Sequence, residues 1–243
     1  MAHKLRNGPQ SRAPLKWGEG AKSVPASRHH GCPTVVPSGP HVPKELRIGT
    51  WNVRTMRVTG KLENIKLEMR RMKINVLGLS ETRWEGVEDF ESDEFRVISS
   101  GSKGGQKGVA IVLDGEIGKR VRKVVQHSDR ILLVRVEAHP VDIVLIQVYM
   151  PTSDAEDIEI EMMYEQIEEM VKKEKATDNV IIIGDWNAVV GEGVDGGEVG
   201  EFGLGKRNER GQALVDFCKR LKLVATNTWF KHEKRRRYTW KRP

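Results

Sequence analysis

The sequence predicts a layered α/β domain of packed sheets. Three observations carry the prediction. About ten short runs of β-branched and apolar residues recur between residues 46 and 228, the length of strands and too short for most helices. Some are separated only by turn residues, as in antiparallel hairpins, and others by stretches of helical periodicity, as in crossovers. Several end abruptly in a carboxylate, an amide or a phenol instead of fading into a loop.

The elements follow in order. Leu46 to Val53 reads as a strand, and Leu62, Ile65, Met69 and Met72 follow at helical spacing. Val76 to Thr82 is a second strand and Phe95 to Ile98 a short third. A glycine-rich loop, 101–108, leads into Val109 to Leu113. Lys119–Val125, Ile131–Ala138 and Val141–Tyr149 are closely spaced and read as hairpin strands. After the turn Pro151–Asp154, Ala155 to Lys175 reads as a long amphipathic helix, its stripe assigned mainly to Ile158, Met162, Ile167, Met170 and Val171. Asn179 to Ile183 is a strand buried on both faces, and Gly184 frees the backbone where it stops. A Gly/Glu-rich loop, 191–205, a helix from Asn208 to Leu221 and a strand from Leu223 to Thr228 complete the series.

Composition narrows the class. No apolar run approaches the roughly 20 residues of a membrane span, and the basic start of the chain has no apolar stretch behind it to make a secretory signal. Two cysteines are too few for a disulfide framework, which points to a reducing, intracellular setting. Residues 1–44 hold seven of the ten prolines and no hydrophobic periodicity, the signature of a disordered, Pro-rich basic tail before a domain over 45–243. His29, His30 and Cys32 within that tail make a weak metal signal. The net charge of +7 is concentrated at the ends: 1–44 and 231–243 each hold seven Lys/Arg against one acid, so the body between them is mildly acidic. A polyanionic partner is therefore expected to meet the ends. Lys234-Arg235-Arg236-Arg237, with Tyr238 and Trp240, reads either as a DNA-contacting edge or as a nuclear localisation signal, the alternative being a solvated charge run.

Chemistry is concentrated at strand ends. Asn52, Glu81, Tyr149 and Asp185 with Asn187 close four strands spread over more than 130 residues, a distribution suited to side chains gathered by a fold. Asp185 and Asn187 are two apart and share a side in extended chain. Each ending alone has an ordinary explanation as a turn, an ion pair or a core tyrosine; the recurrence at successive strands does not. Two carboxylates with nearby amides suit a hard cation such as Mg²⁺, which takes one or two protein carboxylates and keeps waters for a phosphate substrate. Gly191-Glu192-Gly193-Val194-Asp195-Gly196 has dinucleotide-binding spacing, but no helix follows directly and its acids would repel a pyrophosphate. The loop 101–108 lacks the Lys-Ser/Thr ending of a phosphate-binding loop.

Trp51-Asn52, Glu81-Thr82-Arg83-Trp84, Val148-Tyr149-Met150-Pro151-Thr152 and Gly184-Asp185-Trp186-Asn187 resemble, in order, the motifs of the endonuclease/exonuclease/phosphatase superfamily, which includes the apurinic/apyrimidinic endonucleases. Ser99 to Gly105, Leu204 to Gly211 and Thr226-Asn227-Thr228-Trp229-Phe230 look closer still to the endonuclease domain of RTE-type non-LTR retrotransposons and the host proteins derived from them, the craniofacial development protein 2 group. The resemblance implies a four-layered α/β sandwich of the DNase I-like kind and Mg²⁺-dependent (or Mn²⁺-dependent) hydrolysis of DNA phosphodiesters in the nucleus. Glu81 would bind the metal with Asn52 beside it. Asp185 would position or deprotonate the attacking water, and Asn187 and Tyr149 would hold the phosphate. Asn227 would add a substrate contact, as would Arg235, Arg236 and Arg237. The same resemblance implies an Ile-Asp-Tyr strand and a terminal Ser-Asp-His after the Tyr-Thr-Trp segment. The sequence ends at Pro243, before both, and none of its seven histidines stands in that context. The expectation is a domain missing its last strands, with an inner strand edge unpaired and impaired catalysis. The alternative is an inactive domesticated fragment that binds nucleic acid or a protein partner. A phosphoinositide or sphingolipid headgroup as substrate is a third reading, against which the closer retrotransposon likeness counts.

Overall fold

Side-chain alternation decides the layers. The central strands are apolar on both faces, so both sides of each sheet have to be covered. The computed structural model describes residues 2–4, 45–152, 154–233 and 237. In chain order the elements begin β1 (Ala2–Lys4), β2 (Ile48–Asn52), α1 (Lys61–Met72), β3 (Val76–Ser80), β4 (Val87–Ser92), β5 (Phe95–Ser100) and β6 (Val109–Asp114). They continue with α2 (Gly115–Gly118), β7 (Val121–Gln126), β8 (Ile131–Val136), β9 (Ile143–Tyr149) and α3 (Asp157–Lys172). The last are β10 (Asn179–Asp185), α4 (Glu209–Leu221), β11 (Leu223–Ala225) and a 3₁₀ turn, Thr226–Thr228.

Two sheets result, one in the order β11-β1-β10-β9-β8-β7 and the other β2-β3-β6-β5-β4. Three apolar cores separate four layers. Ile98, Val109, Ile111 and Leu113 of one sheet meet Leu132, Val134, Leu145 and Tyr149 of the other. The alternate residues Leu133, Val144, Ile146 and Val148 face the opposite way, onto Ile160, Ile167, Leu214 and Phe217 of α3 and α4. Leu77, Leu79, Val97 and Val112 pack beneath Ile65 and Met69 of α1. The four-layered sandwich is thus the direct product of period-two apolar strands.

The helices obey local rules. Asn208 caps α4 by accepting the Gly211 N–H at 2.8 Å. The buried stripe of α3 is Ile160, Met163, Tyr164, Ile167, Met170 and Val171. Ile158 and Met162, expected in it, lie on the exposed face. An i, i+4 pair of apolar residues looks the same from sequence on either face, and here the longer 160/163/164/167 series wins the sheet contact. Met72 likewise is exposed at the end of α1. Two further differences concern edges. Val87–Ser92, whose residues are exposed or half-buried, forms an edge strand that its charges conceal. Leu223 to Thr228 is strand only to Ala225, where the backbone tightens into the 3₁₀ turn.

The expected tail without structure is corrected at Ala2–Lys4, which pairs antiparallel with both β10 and β11. An inner strand edge is expected to stand unpaired; on β10 these residues pair opposite Ile181 and Ile182. Unmet N–H and C=O groups accept any extended backbone, so strand pairing there needs no strand-forming side chains. The remainder of 1–44, with His29, His30 and Cys32, lies outside the described residues, as do Tyr238 and Trp240. Among the described residues no helix is long and apolar enough to cross a membrane.

The observed face of α3 gives a stability contrast. Ile167→Ala should cost about 2–5 kcal/mol through cavity formation, and Ile158→Ala less than about 0.5 kcal/mol. Urea unfolding of the two variants reads this directly, and equal losses would mean that α3 is rotated on the sheet.

Candidate active site

Parallel pairing brings the polar strand ends to one rim. β2 runs parallel to β3, and β9 parallel to β10, so Asn52, Ser80, Tyr149 and Asp185 finish their strands. The two pairs belong to different sheets and meet at the rim through one amide. Asn52 Nδ2 donates to Glu81 Oε1 at 2.7 Å and to Asp185 Oδ2 at 2.9 Å. Both N–H groups of the amide are thereby aimed at carboxylates that would otherwise repel each other. The Asn52 oxygen in turn accepts the Arg54 N–H at 3.1 Å.

The backbone is unusual where these side chains project. Arg54, Glu81, Arg83 and Asn187 are non-glycine residues at positive φ, between 45° and 59°. Such conformations cost energy and are held by their surroundings. Thr82 N–H bonds to Gly108 O at 3.1 Å, Arg83 N–H to Lys107 O at 2.7 Å and Met56 N–H to Thr82 O at 2.7 Å, which pins the turn carrying Glu81. Asp185 Oδ1 accepts the Asn187 N–H at 3.2 Å, and Asn187 Nδ2 donates to Met150 O at 2.8 Å. Between strand and site, Gly184 stands at φ 147° with the Val148 carbonyl oxygen where a Cβ would be.

Electrostatics favour a protonated phenol at Tyr149. Burial raises the Tyr149 hydroxyl above its usual range; Glu81 adds to the rise through its charge and a hydrogen bond, Asp185 adds through its charge, and Arg130 opposes it. Arg83 reaches Glu81 at 3.7 Å, an ion pair open to solvent on the arginine side. Among the described residues no three or more His, Cys, Asp or Glu side chains converge on a metal position. The donor set is two half-buried carboxylates held on one amide, which fits a hard divalent cation that keeps most of its water. Glu81 and Asp185 are the residues that could hold it. Asn52 bonds both carboxylates, and its oxygen, which accepts the Arg54 N–H with one lone pair, keeps a second for a cation beside Glu81.

Asn227 is exposed on the 3₁₀ turn and lines, with Trp186, Leu214 and Cys218, a cavity of about 70 Å³ on the flank of the site. Arg237 donates Nη1 to the carbonyls of Phe202 and Gly203 and so ties down the 191–205 loop. Arg235 and Arg236 lie outside the described residues. His127, His139 and His232 are exposed. Arg130, which immediately precedes β8 and accepts the Tyr149 N–H, has no signal in the sequence; only the register of two strands reveals it.

A fold of two facing sheets flanked by helices, with Asn, Glu, Tyr and Asp at one rim, finds its counterpart among known proteins. The chain belongs to the endonuclease/exonuclease/phosphatase family, whose model matches residues 49–230. Craniofacial development protein 2 of Bos taurus is 40% identical over 205 residues, 82% of this chain and 34% of that protein. Its counterpart from Tragulus javanicus is 38% identical over 201 residues, 82% and 35% respectively. The chain therefore spans about a third of the length of these curated relatives. Among solved structures, the AP endonuclease LMAP from Leishmania major superposes with a TM-score of 0.51 at 16% identity, covering 71% of this chain and 65% of that one. The endonuclease domain of TRAS1, a telomere-specific non-LTR retrotransposon, gives a TM-score of 0.49 at 21% identity, with 73% and 71% covered. With the family match and the Leishmania superposition, the observed fold is the DNase I-like sandwich.

Gly184→Ala tests how the site is delivered. A Cβ there collides with the Val148 carbonyl at a strained φ, whereas one at Gly197 meets nothing within 4 Å. The first substitution should destabilise by about 2 kcal/mol or more and the second by less than about 1 kcal/mol, read from thermal denaturation.

Proposed function

We propose that this chain hydrolyses phosphodiester bonds of DNA in a divalent-metal-dependent manner, as an endonuclease domain of retrotransposon origin. The observation that carries the reading is the joining of Glu81 and Asp185, from two sheets, on the amide of Asn52. Hydrolysis requires an in-line water and neutralisation of charge on the phosphate oxygens. A Mg²⁺ or Mn²⁺ ion, when bound by Glu81 with Asp185 nearby, supplies Lewis acidity toward the phosphate. Asp185 orients the attacking water and accepts its proton. Tyr149, held protonated, donates its hydroxyl to a non-bridging oxygen. Asn187 bonds Met150 O with one N–H and has a second for the same phosphate. Asn52 keeps both carboxylates in register, so its contribution is geometric.

DNA is the substrate favoured by the kinship with nuclease-type proteins and by the excess of basic residues at the ends of the chain. Nuclear localisation, through the run Lys234–Arg237, belongs to the same reading.

Nicking of supercoiled plasmid with Mg²⁺ tests the proposal. Glu81→Ala and Asp185→Ala should each lower the rate by at least about a hundredfold, the scale of losing one preorganised catalytic group. EDTA should abolish it. Activity that survives both substitutions refutes the assigned site.

A further inference from the structure

Arg130 sits where no motif points. It is the residue before β8, and its carbonyl accepts the Tyr149 N–H at 2.9 Å. Its side chain turns back on the same residue. Nη1 donates to Tyr149 O at 3.1 Å, and the guanidinium carbon lies 5.0 Å from the centre of the Tyr149 ring. Nη2 stands 3.5 Å from Glu159 Oε1 in the first turn of α3. Only 16% of the side chain is exposed, and Nε is buried without a partner among the described residues. An arginine so enclosed offers little of itself to a ligand arriving from solvent.

One path also fixes Arg130 relative to Glu81. Gly108 donates its N–H to Asp129 O at 3.0 Å, while its own carbonyl accepts the Thr82 N–H at 3.1 Å. The residue before Arg130 and the residue after Glu81 are thus joined through a single glycine. A planar, delocalised cation over a ring holds that ring's orientation as well as its charge environment, which a lysine on a flexible stem does not reproduce.

We infer that Arg130 is a positioning residue that sets the orientation of the Tyr149 ring, and so of its hydroxyl, toward the phosphate; this rests on the reading of Tyr149 as a site residue. Arg130 acts through Tyr149 and does not itself touch substrate.

Two measurements on the full chain test it. In plasmid nicking, Arg130→Gln should lower kcat about tenfold with KM unchanged, Arg130→Lys should remain impaired, and Arg130→Gln should add little loss in a Tyr149→Phe background. Independently of activity, ¹⁹F NMR of protein carrying 3-fluorotyrosine at its three tyrosines, with Tyr149 assigned by Tyr149→Phe, should show the Tyr149 signal moved by Arg130→Gln and the Tyr164 signal unmoved. A Tyr149 signal that stays in place overturns the inference, as does a rise in KM at constant kcat or a fully additive double variant. If Tyr149→Phe nicks at the full rate, the catalytic reading of Tyr149 fails instead, and the NMR arm still decides whether Arg130 orients the ring.

Discussion

Two carboxylates carried by different sheets repel each other when brought within hydrogen-bonding distance of a common point, and one amide makes the arrangement stable here. The Asn52 side chain gives one N–H to Glu81 and the other to Asp185. Everything around it serves to deliver those three groups. β2 must run parallel to β3, and β9 to β10, for the ends to coincide. The sheets must pack face to face through Ile98, Ile111, Leu132 and Leu145 for the ends to meet. Positive φ at Glu81 and Asn187 must be tolerated for the side chains to turn inward. Four of the seven described non-glycine residues at positive φ, Arg54, Glu81, Arg83 and Asn187, belong to this rim, as expected of a site held by its scaffold.

The sheet architecture was legible in the sequence because its signal is local. Val109–Leu113 and Val180–Ile183 are apolar without a break, which states burial on both faces, and the closeness of the strands between 119 and 149 states hairpins. The polar strand endings were legible for the same reason, since Gly184-Asp185-Trp186-Asn187 breaks an apolar run within one residue. What failed was phase and partnership. Ile158 and Met162 obey helical periodicity but on the exposed face of α3, because the competing stripe through Tyr164 has more to bury. Val87–Ser92 carries two glutamates and an aspartate and gives no strand signal, yet its backbone pairs residue for residue with β5.

The site was legible as a set of residues and not as a mechanism of assembly. Asn52 reads in sequence as the neighbour of a metal-binding Glu81; the fold adds the two bonds it donates, to Glu81 and Asp185, which no local pattern shows. Arg130 and Gly108 have no local signature, since their roles exist only through pairing registers and loop contacts made far along the chain. Arg237 reads as part of a basic run for DNA, whereas its guanidinium holds the carbonyls of Phe202 and Gly203. A charge run states sign, and only the fold states what the charge faces.

Glu81, with Asn52 and Asp185 beside it, is proposed to hold one divalent cation. Calorimetric titration of the full chain with Mn²⁺ in the absence of nucleic acid addresses it most directly. One saturable binding event is expected, lost in Glu81→Ala and weakened in Asn52→Leu, in which the carboxylates lose the amide that joins them. Binding of equal strength in wild type and Glu81→Ala would contradict it.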